Sequence, residues 1–259
     1  MKFLIKKVLD YLANKKNKDN QDLKELVTYL VKSYTKNHLN LEKSDIEKIV
    51  QIIRELKGTS LVESLKILQS INETQNLKGD ICEFGVAQGK TSKLMAYLIK
   101  DTEKKIYLYD SFKGLPKASD KDILKDDIFN LGKIENYEGK MSHAETKVIK
   151  ELNSIKFDSK KTIINKGFFN KKNLDLFKFP KTVSFAYIDF DYYQPTIDVL
   201  QSLENKLSIG SIMIVDDYDF FSTGAKTAVD EWIELNKSSF QINFIKTNCA
   251  SFAIIKKVK

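Results

Sequence analysis

The chain is short of the features that would settle its class at once. It has two cysteines in 259 residues, Cys82 and Cys249, both inside apolar runs and without metal-ligand spacing. That excludes a disulfide scaffold and a zinc ribbon, and a chain of this length can bury a core without either. No window approaches the roughly 18 uninterrupted apolar residues of a membrane span. Arginine is scarce: lysine supplies nearly all of the 43 basic residues that, against 35 acidic ones, leave a formal charge of +8. The excess lies at the two ends and in Lys-Lys pairs. A nucleic-acid interface concentrates such charge in one stripe, so most of it reads as solvation and no nucleic-acid partner is expected. Internal repeats are absent. Lys6, Lys7 and Asp10 interrupt the first apolar stretch too early for a secretory core, so a cytoplasmic protein is expected. Phe3, Leu4, Val8 and Leu12 lie on one side of that stretch with lysines opposite, a pattern that can rest on an anionic membrane but more often docks on its own domain.

Residues 1–76 carry helical spacing throughout. Leu23, Leu26, Val27, Leu30 and Val31 recur at three- and four-residue steps, as do Ile46, Ile49, Val50, Ile53 and Leu56. Ser44 reads as a helix start and Gly58 as a stop before a third helix through Leu61, Leu65, Leu68 and Ile71. The apolar residues of these helices would suit a dimer interface, so a homo-oligomer is expected. From Gly79 the rhythm changes to short apolar runs: Ile81–Phe84, Ile106–Tyr109, Thr162–Ile164, Phe185–Ile188, Ile212–Val215, Ile242–Ile245 and Phe252–Ile255. Runs of that size separated by helix-length spacers imply βαβ units and a mostly parallel sheet covered on both faces. The last two are about six residues apart, too close for a crossover helix, so they should form an antiparallel hairpin. The expected organisation is α/β, with a helical extension over 1–76 and a sheet domain over 77–259. Lys113–Glu145 has no clear period and is expected to be a mobile loop beside the site.

In an open α/β sheet, ligands sit off the carboxyl ends of the strands, so the residues after each run are where a site belongs. The first is followed by Glu83-Phe84-Gly85-Val86-Ala87-Gln88-Gly89-Lys90-Thr91-Ser92. Two glycines allow a tight turn and close approach of a ligand to the N-terminus of the next helix. Asp110 ends the second run, 21 residues beyond Gly89, where an acid can accept hydrogen bonds from both ribose hydroxyls of a nucleoside. Gly89-Lys90-Thr91 invites comparison with a phosphate-binding P-loop, but three residues separate Gly85 from Gly89 where the P-loop has four. Glu83 would repel a triphosphate and would instead suit a ligand with a cationic amino-acid end, such as S-adenosylmethionine (SAM). Asp189 and Asp191 follow the fourth run, and Asp216 and Asp217 the fifth. Ionised acids directly after buried strands are costly unless paired, and all-oxygen ligation suits Mg²⁺ or Ca²⁺. Capping of the following helices is the competing explanation.

Taken with their order, Gly79–Val86, Leu108–Pro116, Ile188–Tyr193 with Thr196, and Asp216-Asp217-Tyr218 followed by Gly224 and Ala228–Asp230 resemble the macrocin O-methyltransferase (TylF-type) family. The resemblance covers about residues 60–255. It implies a Rossmann-like class I methyltransferase sheet of seven strands with the last antiparallel, and SAM- and Mg²⁺-dependent methylation of a sugar hydroxyl on a small-molecule acceptor. By that resemblance Glu83, Gly85, Gly89, Ser92, Asp110 and Ser111 would hold SAM, and Asp189, Asp216 and Asp217 the metal. A histidine base is implied near His143, whose ordinary pKa suits the task, with Asp189 the other catalytic candidate. Phe190 departs from the family's usual Asp-Ala-Asp-Leu-Tyr and is expected to reshape the pocket wall. A catechol or other small vicinal diol could replace the sugar. The readings of a different class are a P-loop-like nucleotide-binding module and a membrane-docking module without methyl transfer.

Overall fold

The computed structural model describes residues 21–38, 41–248 and 250–259. The amphipathic opening turns and Cys249 lie outside the described residues; Cys82 is buried in the core. No helix among the described residues is long and apolar enough to cross a membrane.

The chain divides into two compact units between Arg54 and Glu55. The first holds α1 (Gln21–His38) and nearly all of α2 (Lys43–Glu55). In α2, Asp45 in the first turn and Arg54 in the last oppose the charges of the helix ends, and Ile49, Val50, Ile52 and Ile53 are buried. The third expected helix, α3 (Leu61–Thr74), belongs with the sheet, so the division falls earlier than the expected boundary at 76. Its capping box explains its start: Ser60 Oγ accepts from Glu63 N at 3.1 Å, and the Glu63 carboxyl accepts from Ser60 N. Burial of Ile67, Leu68 and Ile71, with a hydrogen bond between Glu63 and Tyr187, fastens it to the sheet unit.

All seven apolar runs are strands. They are β1 (Asp80–Phe84), β2 (Ile106–Asp110), β3 (Thr162–Lys166), β4 (Val183–Ile188), β5 (Leu207–Val215), β6 (Phe240–Lys246) and β7 (Ser251–Lys257). They form one sheet in the order β3-β2-β1-β4-β5-β7-β6. Strands β1 to β5 pair in parallel, while β7 runs antiparallel between β5 and β6, as the short β6–β7 connection requires. The central strands are apolar on both faces; every residue of β4 is buried. Helices α4 (Lys90–Leu98), α5 (Glu145–Ser154), α6 (Tyr193–Leu203) and α7 (Gly224–Asn236) complete the unit. Cys82, Ala186, Met213, Leu200, Val229 and Trp232 belong to its main core.

The strand order reverses between β1 and β4, and their ends are in register: Phe84 pairs with Ile188. The chain beyond continues the ladder, with Asp189 N donating to Phe84 O at 2.7 Å and Asp216 N to Ile188 O at 2.8 Å. Three strand ends that carry acids are thereby brought side by side.

The stretch expected to be a mobile loop, 113–145, is instead folded around a second small core of Leu115, Ile134, Tyr137, Tyr192 and Phe221. Leu124 and Ser222 form an isolated β-bridge there. Ile134 and Tyr137 share a single short 3₁₀ turn (Ile134–Tyr137) and the other members are far apart in the chain, so no sustained periodicity marks this core.

Candidate functional site

The turn after β1 is built by close backbone approach. Gly85 has φ +87°, and a Cβ there would stand 1.8 Å from the carbonyl oxygen of Asp189. Gly89 has φ +76°, and its Cβ would stand 2.8 Å from Val148 Cα on α5. Both glycines are needed for packing against protein backbone, whatever ligand the turn receives. Asp110 ties the turn down from β2: Oδ2 accepts from Val86 N at 2.7 Å and Ala87 N at 2.9 Å, and Oδ1 from Phe112 N at 2.6 Å. A carboxylate has about four acceptor sites, so roughly one is left for a ribose hydroxyl. Ser111 is spent on the same corner, donating to Gly114 O and accepting from Lys113 N, both at 3.0 Å.

Glu83, 1% exposed, accepts a hydrogen bond from Ser92 Oγ on α4. Burial pushes its carboxyl well above the usual range, and the Ser92 bond opposes that rise. Helix α4 starts at Gly89 with no side-chain cap, which leaves its first amides to a ligand. A cleft lies there, bordered by Glu83, Gly85, Gln88, Thr91 and Asp189. Val86, Ala87 and Lys90 also line it, and its outer lip is Lys57-Gly58-Thr59, with Thr59 Oγ1 2.8 Å from Thr91 Oγ1. Sequence reasoning missed this lip; Gly58, with φ +90°, was the signal, but it read only as a helix stop. Lys90, the would-be P-loop lysine, is engaged elsewhere: its Nζ lies 2.6 Å from Glu151. Lys93 bridges Glu55 at 2.8 Å and Glu151 at 3.1 Å. These ion pairs fix α4 against α5 and leave the P-loop reading without its phosphate ligand.

At the ends of β4 and β5, carboxylate oxygens of Asp189, Asp191 and Asp217 lie within 4.8 Å of one another. Asp191 (φ +61°) and Asp217 (φ +52°) adopt left-handed backbone conformations, which turn these side chains together. Asp216 is not in the group. Its Oδ2 accepts from Tyr187 OH at 2.8 Å, its Oδ1 from Asp217 N at 2.8 Å, and it shares a hydrogen bond with Glu63. Of the set implied by resemblance, Asp189 and Asp217 lie in this cluster, while Asp216 stands beside it. Capping does not account for Asp191, because α6 is capped by Asp122, whose Oδ1 accepts from Tyr193 N at 2.7 Å.

Among the described residues no ion pair neutralises the three acids. Burial, then Asp216 and Asp217, raises Asp189 well above the usual carboxylate range. Burial, then Asp189 and Asp217, does the same to Asp191. Burial and Asp216 lift Asp217 to about 7. Three clustered oxygens held in a hard, anionic, partly desolvated pocket fit a divalent cation of the Mg²⁺ kind. Cation binding needs the ionised form, so the apparent affinity for Mg²⁺ should weaken by about tenfold per pH unit for each proton displaced below pH ~7. Calorimetric titrations at pH 5.5, 6.5 and 8 check this, and a pH-independent affinity would oppose it.

His143 is placed on the side of the glycine turn. Its Nε2 lies 3.4 Å from Gln88 Nε2, beside the glycine turn, and burial and Lys147 lower its proton affinity against the pull of Asp110. Phe190 packs inward, its ring 6.0 Å from those of Phe84 and Phe169, and so supports the core behind the turn instead of reshaping the pocket wall.

The family described as Macrocin-O-methyltransferase (TylF) matches residues 3–253. Demethyldecarbamoylnovobiocin O-methyltransferase of Streptomyces niveus is 27% identical over 160 residues, which span 61% of this chain and 59% of that relative. The chain thus matches less than two thirds of that protein's length. Among solved structures, the O-methyltransferase NovP superposes with TM-score 0.65 at 18% identity, over 92% of this chain and 98% of that one. CalS11, a calicheamicin methyltransferase, gives 0.58 at 18% identity over 90% and 93%. An O-methyltransferase from Bacillus cereus in complex with SAH gives 0.53 at 13% over 91% and 100%. At these identities the likeness establishes the fold, a class I methyltransferase sheet.

Proposed function

The chain belongs to the macrocin O-methyltransferase (TylF) family, and from that membership we propose that it moves the methyl group of SAM to a hydroxyl of a sugar or sugar-containing metabolite with the help of Mg²⁺. One observation carries the reading. Asp189 borders the cleft at the glycine turn and is also one of the three clustered aspartates. A donor in the cleft and an acceptor at the cation would therefore meet at this residue.

The turn's requirements match those of SAM. The uncapped start of α4 offers amides, Glu83 offers a buried acid to a cationic end, and Asp110 retains an acceptor position beside the loop. Ser92 keeps the Glu83 carboxyl in place, and Ser111 shapes the corner that holds Asp110. The cation would be held by Asp189, Asp191 and Asp217. Bound SAM supplies a methyl group on a positively charged sulfur, and Mg²⁺ supplies positive charge that eases deprotonation of a nearby hydroxyl. With His143 on the donor side, acceptance of that proton falls to the acidic pocket, where Asp189 is the carboxylate that also faces the donor cleft. A sugar acceptor is favoured by the company the chain keeps: the CalS11 protein is named a TDP-rhamnose 3'-O-methyltransferase.

A thermal-shift panel tests the donor half. At saturating concentration SAM and S-adenosylhomocysteine should raise the melting temperature by roughly 5 °C or more, and ATP should not. EDTA should abolish methyl transfer while protection by SAM persists. Protection by ATP alone, or turnover that survives chelation, would refute the respective half.

A further inference from the structure

The lip of the donor cleft, Lys57-Gly58-Thr59, joins the end of α2 to the start of α3 and is fastened to α4 on both sides of Lys57 and Gly58. Before them, Glu55 Oε2 lies 2.8 Å from Nζ of Lys93, whose side chain is nearly buried. After them, Thr59 Oγ1 lies 2.8 Å from Thr91 Oγ1, and Ser60 opens α3 with its capping box. Between the two ties the chain is open. Gly58 turns left-handed at φ +90°, and a Cβ on it would meet nothing within 4 Å. Residues 55–60 are thus a strap held along the first turn of α4, with Lys57 at its free crossing.

The charges around the cleft are unevenly committed. Its charged lining residues are Lys57, Glu83, Lys90 and Asp189. Lys90 is held by Glu151, 2.6 Å from its Nζ. Lys57 is exposed, and no carboxylate among the described residues pairs with it. The amino-acid end of SAM carries an ammonium and a carboxylate on one carbon. An ammonium that faces Glu83 leaves the carboxylate a short step from that acid, where it is repelled unless positive charge meets it. The uncapped amides of α4 supply part of that charge. Among the described residues, Lys57 is the one ammonium lining the cleft that is still free to supply the rest.

We propose that Lys57 binds the α-carboxylate of SAM, so that the strap over 55–60 selects donors that keep this group. The inference rests on the SAM reading given above and is independent of the cation. Lysine suits the place: its ammonium is a point charge on a flexible stem, able to follow a ligand from an open crossing. The ties at Glu55 and Thr59 matter because they fix the backbone from which that stem reaches. Recognition of this kind is a difference between two ligands, and it is read by comparing donors with and without the carboxylate.

The test is calorimetric titration of the full chain with SAM and with decarboxylated SAM, which keeps the sulfonium and the ammonium but lacks the carboxylate. Wild type should bind SAM about tenfold or more tightly than the decarboxylated donor. Lys57→Met keeps the length of the stem and removes the charge; it should weaken SAM about five- to twentyfold and leave the decarboxylated donor within about twofold. Lys57→Arg keeps the charge and should bring SAM back to within about threefold of wild type. Lys237→Met removes an exposed lysine of α7 that pairs with Glu234, away from the cleft, and should leave both donors within about twofold. Unchanged SAM affinity in Lys57→Met, or equal weakening of both donors, would overturn the assignment. Equal affinity of wild type for the two donors would overturn it without any variant, while the SAM reading stands. A wild type that binds neither donor removes the SAM reading itself.

Discussion

Asp217→Asn is expected to lower kcat by about two to three orders of magnitude, with the SAM Kd within about threefold of wild type. The substitution conserves shape and removes one of the three charges clustered at the ends of β4 and β5. A bound cation contributes several kcal/mol of charge stabilisation, and each 1.4 kcal/mol is a tenfold change in rate. Asp216→Asn is the informative companion. Asp216 is turned toward Tyr187 and Glu63, so its loss should leave Mg²⁺ affinity and kcat much nearer to wild type and show mainly in stability. Steady-state kinetics over a Mg²⁺ series, with calorimetric SAM binding, separate the two. Equal collapse of kcat in both variants would place Asp216 in the cation shell and overturn the set proposed here.

Gly85→Ala should be among the most destabilising substitutions of a residue that lines the cleft. Its left-handed backbone costs an ordinary residue about 1–2 kcal/mol. The added Cβ would also sit 1.8 Å from the Asp189 carbonyl oxygen, and forcing atoms into a filled space adds about 1–3 kcal/mol or more. Together this is about 2–5 kcal/mol, or roughly 10 °C in melting temperature for a unit of this size. SAM protection should be lost as well, because the displaced backbone belongs to Asp189. Gly132→Ala isolates the first contribution: Gly132 has φ +78° with nothing within 4 Å of the added carbon. Its cost should stay near 1–2 kcal/mol, and equal destabilisation by the two substitutions would contradict the close-approach account.

The framework was legible because a buried parallel sheet writes itself as short apolar runs, and each of the seven became a strand. Searching after those runs found Glu83, Asp110 and the aspartates, since strand ends are where an α/β sheet exposes its ligands. What the pattern could not reveal depends on tertiary contacts. Asp216 leaves the cluster because Tyr187 and Glu63, 29 and 153 residues away in sequence, receive it. Asp191 enters because its backbone turns left-handed, and the cap that Asp122 places on Tyr193 crosses 71 residues. His143 is a candidate by residue type alone, and its place beside Gln88, just before α5, depends on a contact across 55 residues. The packing of 113–145 escaped for a different reason: a loop core needs apolar residues in no fixed rhythm.

The central claim is that a divalent cation sits among Asp189, Asp191 and Asp217 beside the donor cleft. A crystal grown with Mn²⁺ and S-adenosylhomocysteine, measured for anomalous scattering, addresses it directly. The account predicts one anomalous peak, with carboxylate oxygens of those three residues about 2.1 Å away and the nucleoside product in the cleft at the glycine turn. A peak ligated by Asp216 in place of Asp191, or no peak at the ends of β4 and β5, would contradict it.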